Sequence, residues 1–587
     1  MVCALGLTYD ELTHLARAGP FGVGDVVVVL AAAALAFSGV ALIAQLPEAL
    51  RARFRRAPPM VVKRRPVYGF GTMLAVGVGA TLGSPLFILI PENILSYEVI
   101  SILSLILATI LSVAMAKVYS DMYRTSKSLG LEGVGGPSFT KVAAGSRSVR
   151  YFVSRVSMWV SNTALAAYTK IVFLIFVLDP SYLPAILGSY GFSQAVSSVI
   201  IYGVAGAFVA WTVLNVLFEQ RYLRLVGWVQ IVMTGALLLI LVYHSIVLGS
   251  SGSWNLTGIF STPMGTGWVA ALVVNTGYLY LLFFGFQEIQ SLERDAVERS
   301  KVPFLSWLRP NLTVERTTYF GVAMVLSVVV ASAINILYGL AVFSTHTPLQ
   351  GSSIPALYLA KSLLGPGQEL LIAIAFLLAT VTTFVPAFLA AARHLSALGE
   401  DGYMPQSLAR LSWIFTIVAI FLLAIGNQDF LVNITDFMVL ISLGIISLSA
   451  IWLRSRASTL RGGRTGLPLV VGIGCFIFGG AVYFSPGGGS VVVFGSLAVI
   501  FAYLIFDIIE LGTLGAQLFL SVFGFVCAMA LAAFSHSVYI HGLVLRATQV
   551  VGVGPDVILV GGLLVSSALL IVNVVVDVKV LGRTSVR

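Results

Sequence analysis

The sequence predicts an all-α polytopic membrane protein with about fifteen transmembrane helices. Three observations predict it. Hydrophobic types make up 58% of the 587 residues and charged types only 10%, whereas a soluble domain carries about 25% charged residues. The apolar residues fall in continuous runs of about twenty, the length of a bilayer-crossing helix, rather than in the short alternating segments of a barrel. The loops between the runs alternate between basic and nearly uncharged. Together these exclude a cytosolic enzyme, a nucleic-acid-binding module and a disordered chain. The formal charge of +10 is assigned to cytoplasmic loops. Cys3, Cys475 and Cys527 lie far apart with no metal-ligand spacing.

The first span is expected at 24–46 and ends in the basic stretch Arg51 to Arg65. It lacks the cleavage pattern of a signal peptide. Further spans are expected at 68–91, 98–119, 152–178, 195–217, 225–248, 268–290, 318–343 and 369–392. Six more follow at 412–427, 430–453, 466–484, 490–509, 513–534 and 556–579. Positive charge sorts into alternate loops: Arg51 to Arg65, then Arg124 to Arg150, Arg221 and Arg224, Arg294 to Arg316, Arg393 and Arg410, and Arg454 to Arg464. Lys361 is the main exception. By the positive-inside rule, this pattern places the N-terminus outside and the C-terminus in the cytoplasm.

Two spans are interrupted. In the span at 68–91, Gly77, Gly79, Gly83, Ser84 and Pro85 cluster at mid-helix. Proline removes a backbone donor, and freed polar groups at membrane depth must line a cavity or find protein partners. Close packing on small residues is the alternative. The span at 268–290 carries Asn275, Gly277, Gly285, Gln287 and Glu288 in apolar surroundings. Interrupted helices in matching positions of two halves point to a secondary transporter's site.

Four segments carry a resemblance to the amino acid–polyamine–organocation permeases. Gly79-Ala80-Thr81-Leu82-Gly83-Ser84-Pro85-Leu86-Phe87 resembles the G-x-x-x-G-S-G-I-F signature of their first core helix. Gly135-Gly136 is similar to the paired glycines before the third core helix, and Phe284 to Asp295 with Pro303 to the F-x-G-F-E-x-x-x-S-L-x-E-E…P run. Ala392 to Pro405 is similar to the S-R-x-L-x-A-L-A-R-D-G-x-L-P segment after the eighth. The resemblance covers about 68–455 and implies a five-plus-five inverted-repeat core with extra helices. It implies alternating access around a midplane site, and an amino acid, amine or polyamine as substrate. On this basis 1–65 is an extra helix with a basic linker, 66–248 the first repeat, 266–455 the second, and 466–587 accessory helices.

Two departures touch the site the resemblance implies. Pro85 replaces a glycine and cannot donate an N–H to a substrate carboxylate, which shifts that role to Gly83 and Ser84. Gln287 stands where the family has glutamate, with Glu288 one step on and rotated by about 100°. Thr81, Gly83, Ser84, Asn162, Gly285 and Gln287 are the expected substrate contacts.

Lys170 lies deep in the third core helix and is expected to be a coupling or binding charge, or else to snorkel to an interface. Glu288 is a second coupling candidate. Thr382 and Thr383 resemble the adjacent hydroxyls that bind sodium in relatives of the wider fold; the alternative is back-bonding within their own helix. Nothing in the sequence indicates an enzyme or a cofactor. The expected partners are a small-molecule substrate, a proton or sodium ion, and the lipid bilayer, with no nucleic acid. The extra helices leave room for a homo-oligomer. The competing readings are an ion-translocating subunit of a membrane complex and a sodium-coupled permease of another solute.

Overall fold

The structure, a computed structural model, describes 66–128, 136–145, 148–218, 223–256, 267–303, 312–347, 352–403, 411–423, 428–456, 466–489 and scattered positions from 491 to 499. The expected spans at 24–46, 490–509, 513–534 and 556–579 and the Arg51 to Arg65 stretch lie outside the residues described in full, as does Gly135. By internal packing the chain divides into two units. One comprises 60–397 with 410–488; the other comprises 1–59, 398–409 and 489–587. The first unit is a helical bundle.

Among the described residues, nine helices are long and apolar enough to cross a membrane, and a bent pair makes a tenth span. With the shorter helix Ser412–Leu423, these occupy every expected span from 68–91 to 466–484. The chain is an all-α, multi-pass membrane protein. The bent pair is α1 (Phe70–Thr81) and α2 (Leu86–Tyr97), which meet at 47°. There follow α3 (Val99–Ser128), α4 (Pro137–Ala144), α5 (Val149–Leu178), α6 (Leu183–Ser189), α7 (Gln194–Phe218) and α8 (Leu223–Ser251). Next comes α9 (Trp268–Tyr278), which passes into a 3-10 stretch, Leu279–Phe283, and then the single turn α10 (Glu288–Ser291). An antiparallel pair, β1 (Arg299–Lys301) with β2 (Thr313–Glu315), precedes α11 (Arg316–Thr345). The short α12 (Pro355–Leu359) leads through a wider turn into α13 (Pro366–Glu400). The bundle closes with α14 (Ser412–Leu423), α15 (Gln428–Arg456) and α16 (Gly466–Ala481).

Helix α1 lies at the centre, packed between α8 and α11. The glycines explain how it fits. A Cβ on Gly77 would meet Ser327 at 2.8 Å, and one on Gly79 would meet Thr234 at 2.6 Å and Gln230 at 2.8 Å. Both packing and interruption are therefore written into this segment: Gly77 and Gly79 permit close approach, and Gly83 to Pro85 form the break. Around this centre α3 packs on α11, and α15 on α5. The outer face is apolar, with Val199, Tyr202, Trp228 and Leu239 all exposed on α7 and α8, as a lipid-facing surface requires.

Candidate functional site

The first break runs from Leu82 to Pro85. Leu82 N–H still bonds to Val78 O at 2.8 Å, and the chain re-enters a helix with Leu86 N–H on Gly83 O at 3.1 Å. Among the described residues, the N–H groups of Gly83 and Ser84 make no backbone hydrogen bond, and the buried Ser84 hydroxyl has no partner. Thr81, by contrast, donates its hydroxyl to Gly77 O at 2.7 Å in its own helix.

The second break runs from Leu279 to Gln287. Gly285 has φ of +149°, a conformation open to glycine and strained for other residues. Its N–H donates to Gln287 Oε1 at 3.1 Å, which leaves the buried Gln287 Nε2 unpaired among the described residues. Asn335 Nδ2 donates to Leu282 O at 3.1 Å and satisfies one freed carbonyl.

The second break touches the last turn of α1, next to the first break. A Cβ on Gly285 would lie 2.5 Å from Thr81 N and 2.6 Å from Ala80 C. Backbone meets backbone here because Gly285 carries no side chain, and the Thr81 hydroxyl borders the same contact at 2.7 Å from that Cβ position. Glu288, at the start of α10, is buried beside Asn162 of α5. Of the residues expected at the site, Thr81, Gly83, Ser84, Asn162, Gly285, Gln287 and Glu288 are all buried around these breaks.

Thr383 reaches α1: its hydroxyl donates to Gly79 O at 3.3 Å. Thr382 instead bonds to Leu378 O at 2.9 Å, one turn back in its own helix. Lys170 stands apart from this set. It is partly exposed, and its Nζ lies 3.3 Å from the centroid of the Phe421 ring on α14. That contact is a cation–π pair on the flank of α5.

A cavity opens on each side of the second break. One, of about 500 Å³, is lined by Glu92, Asn93, Tyr278 and Asp429. The other, of about 50 Å³, is lined by Tyr68, Gln230, Glu288 and Arg393. Tyr278 is the last residue of α9 and Glu288 the first of α10, so the interrupted stretch stands between the two cavities.

Each end is also tied across the bundle. At the Glu92 end, Asn93 and Asn275 exchange amide hydrogen bonds of 2.7 and 2.8 Å, joining α2 to α9. Leucine at either position should lower thermal stability, and the double-mutant cycle should return a coupling of about 0.6–1.7 kcal/mol. Strictly additive effects on unfolding in detergent would show that the pair does not join the two helices. At the Tyr68 end, the N–H groups of Val67 and Tyr68 donate to Asp295 O at 2.7 and 2.8 Å. The buried Asp295 carboxylate faces Arg393 of α13 at 3.8 Å, and Lys127 pairs with Glu293 at 2.5 Å.

Sequence reasoning did not single out Asn93, Arg155 or Asp436. Arg155 is buried on α5, beside His394 at 3.1 Å and Ser138 at 3.1 Å. Asp436 is fully buried on α15. The signal for Asp436 was present, an ionisable residue inside an apolar span.

No family model matches the chain, and no curated protein matches it. Among solved structures, it is similar to a manganese transporter of Eremococcus coleocola, studied as a point mutant. The identity is 10% and the TM-score 0.44, over 89% of this chain and 100% of that one. It is also similar to a Na+-coupled sialic acid symporter, at 13% identity and a TM-score of 0.43, over 78% of this chain and 98% of that one.

Proposed function

We propose that the chain is a secondary active transporter of an amino acid or related organic amine, working by alternating access at the two facing breaks. One observation carries this reading: Gly285 lies against Ala80 and Thr81, at the junction of two interrupted helices, with a cavity on either side of the second break. Irregular backbone at membrane depth is tolerated where it serves a site. The permease resemblance of the segments around Gly83 and Gly285 supports the same reading.

The chemistry favours an amine over an ordinary α-amino acid. Glu92 and Asp429 give the larger cavity an acidic lining, and Tyr278 and Phe484 add aromatic faces, which suit a cationic ligand. Pro85 withholds an N–H that a carboxylate would use. Substrate would rest against Gly83, Ser84 and Gln287, whose free donors face the break. Asp295 with Arg393, and Glu293 with Lys127, would close the cytoplasmic end. Glu288, within the bundle, is better placed than the flanking Lys170 to sense the coupling ion.

Sodium is a second reading of the coupling ion. The bond from Thr383 to Gly79 O supports it, since it brings a hydroxyl and a carbonyl of the first break together.

The test is uptake of labelled amines, polyamines and amino acids into proteoliposomes, acid outside and free of sodium. Accumulation that collapses with a protonophore supports the proton-coupled form. Accumulation that appears only with a sodium gradient moves the coupling to Thr383. A chain that accumulates no member of the panel under either gradient contradicts the amino acid or amine reading.

A further inference from the structure

Asp436 has no role at the two breaks described above, yet it is fully buried inside the bundle. Neither carboxylate oxygen has a well-formed hydrogen bond among the described residues, and none of their ion pairs includes it. The group that approaches it is the backbone amide of Leu281, in the middle of the 3-10 stretch. A bare carboxylate at this depth is costly, and intramembrane carboxyls mark ion and proton pathways.

We propose that Asp436 is the binding site of the coupling proton and that its charge sets the conformation of the second break. This deepens the transporter reading, on which the word coupling rests.

The surroundings fit a proton better than a metal ion. Hard cations take six or more oxygen ligands, and the oxygens beside Asp436 on α15 are already engaged. Asn433 accepts from Ser485 at 2.6 Å and donates to Pro486 O at 2.8 Å. Thr435 donates to Leu431 O at 2.7 Å. No group of three His, Cys, Asp or Glu gathers anywhere among the described residues.

Polar side chains also mark a route to Asp436. Tyr278 and Tyr280, on either side of the start of the break, are both within electrostatic reach of it. Tyr278 faces Asp429, which with Glu92 lines the larger cavity. Tyr280 is within reach of Tyr119 on α3, and Tyr119 of Glu288, which lines the smaller cavity. The Tyr119 hydroxyl is buried and lacks a partner among the described residues, and the buried Tyr280 hydroxyl lies beside Ser112 of α3. Hydroxyl and carboxyl groups thus lie at intervals between the two cavities, on either side of Asp436. The remaining titratable groups around them are Cys475 of α16, Tyr168 of α5 and Arg155 of α5. Arg155 is held by His394, Ser138 and Tyr151.

The step balances simply. A proton enters from the larger cavity and bonds to one Asp436 oxygen, neutralising the carboxylate. The attraction to Leu281 N–H then weakens, which loosens the 3-10 stretch where it packs on α15. Release of the proton towards Glu288 restores both the charge and the attraction.

The test uses the full-length protein in lipid vesicles and infrared difference spectra between acid and alkaline pH. Wild type should show a carboxyl C=O band that is absent in Asp436→Asn and present but shifted in Asp436→Glu. A band unchanged in both variants overturns the proposal, as does its absence from wild type. If the asparagine variant does not fold, the glutamate variant decides: a shifted band supports the site, and an unshifted band overturns it. With any labelled amine that wild type accumulates, Asp436→Asn should exchange it across the membrane but lose accumulation. Full accumulation by that variant overturns the proposal. A wild type that moves no amine but shows the Asp436 band would separate failure of the transport reading from failure of this one.

Discussion

Gly285→Ala should abolish uptake while leaving the helices formed. Two independent costs act at this position. A φ of +149° is strained for any residue with a Cβ, at about 1–3 kcal/mol. The added methyl would also lie 2.5 Å from Thr81 N and 2.6 Å from Ala80 C. These are backbone atoms, so no flexible side-chain end can swing away. Relief requires the second break to move away from the end of α1, which dismantles the proposed site directly. The control is Gly235→Ala, where an added Cβ meets nothing within 4 Å. That variant should transport as wild type does. The comparison is initial uptake per unit of protein recovered as a single species. Normal uptake by Gly285→Ala would remove the contact from the mechanism.

Arg393→Ala should open the Tyr68 end and cost more stability than leucine at Asn93 or Asn275. Asp295 is fully buried and faces Arg393 at 3.8 Å. Removing one partner of a buried pair leaves a charge poorly compensated, at about 3–5 kcal/mol. The backbone bonds from Val67 and Tyr68 to Asp295 O would persist, so the chain should remain folded but loosened at that end. The expected readout is faster thiol labelling of a cysteine placed at Val76, which lines the small cavity. Replacing both partners by apolar residues should recover much of the stability but not the gating. A labelling rate equal to wild type would show that this pair does not hold the end closed.

The parts of this fold that were legible in sequence share one property: the side-chain chemistry fixes the backbone locally. Gly83, Ser84 and Pro85 together disfavour a continued helix, and the structure breaks at Leu82 to Pro85, while the isolated Pro91 and Pro386 stay inside helices. Gly285 marks the second break by another route, a positive φ that suits glycine. The 3-10 stretch before it was not legible, because Leu-Tyr-Leu-Leu-Phe is good helical composition and only packing against α15 and α3 departs from it. The β1–β2 pair was hidden inside a loop read as simply basic.

Helix orientation explains the remaining differences. Lys170 and Asp436 both sit at depth in apolar spans, and the sequence signal for them is the same. Which one faces the interior depends on rotation about the helix axis, set by neighbours distant in sequence. The structure places Lys170 on a flank against Phe421 and buries Asp436 inside the bundle, on the helix that packs against the 3-10 stretch. Asn93 and Asn275 are likewise 182 positions apart, so their pairing had no local signature.

Alternating access requires that the paired breaks be reached from one side at a time. Its most direct test is a Ser84→Cys variant in a chain with Cys3, Cys475 and Cys527 replaced. A membrane-impermeant thiol reagent is applied to vesicles of each orientation, with and without Arg393→Ala. Labelling is expected from the Glu92 side in the parent and from the Tyr68 side once Arg393 is removed. Labelling from the same side in both proteins, or from neither side, would contradict alternating access at these breaks.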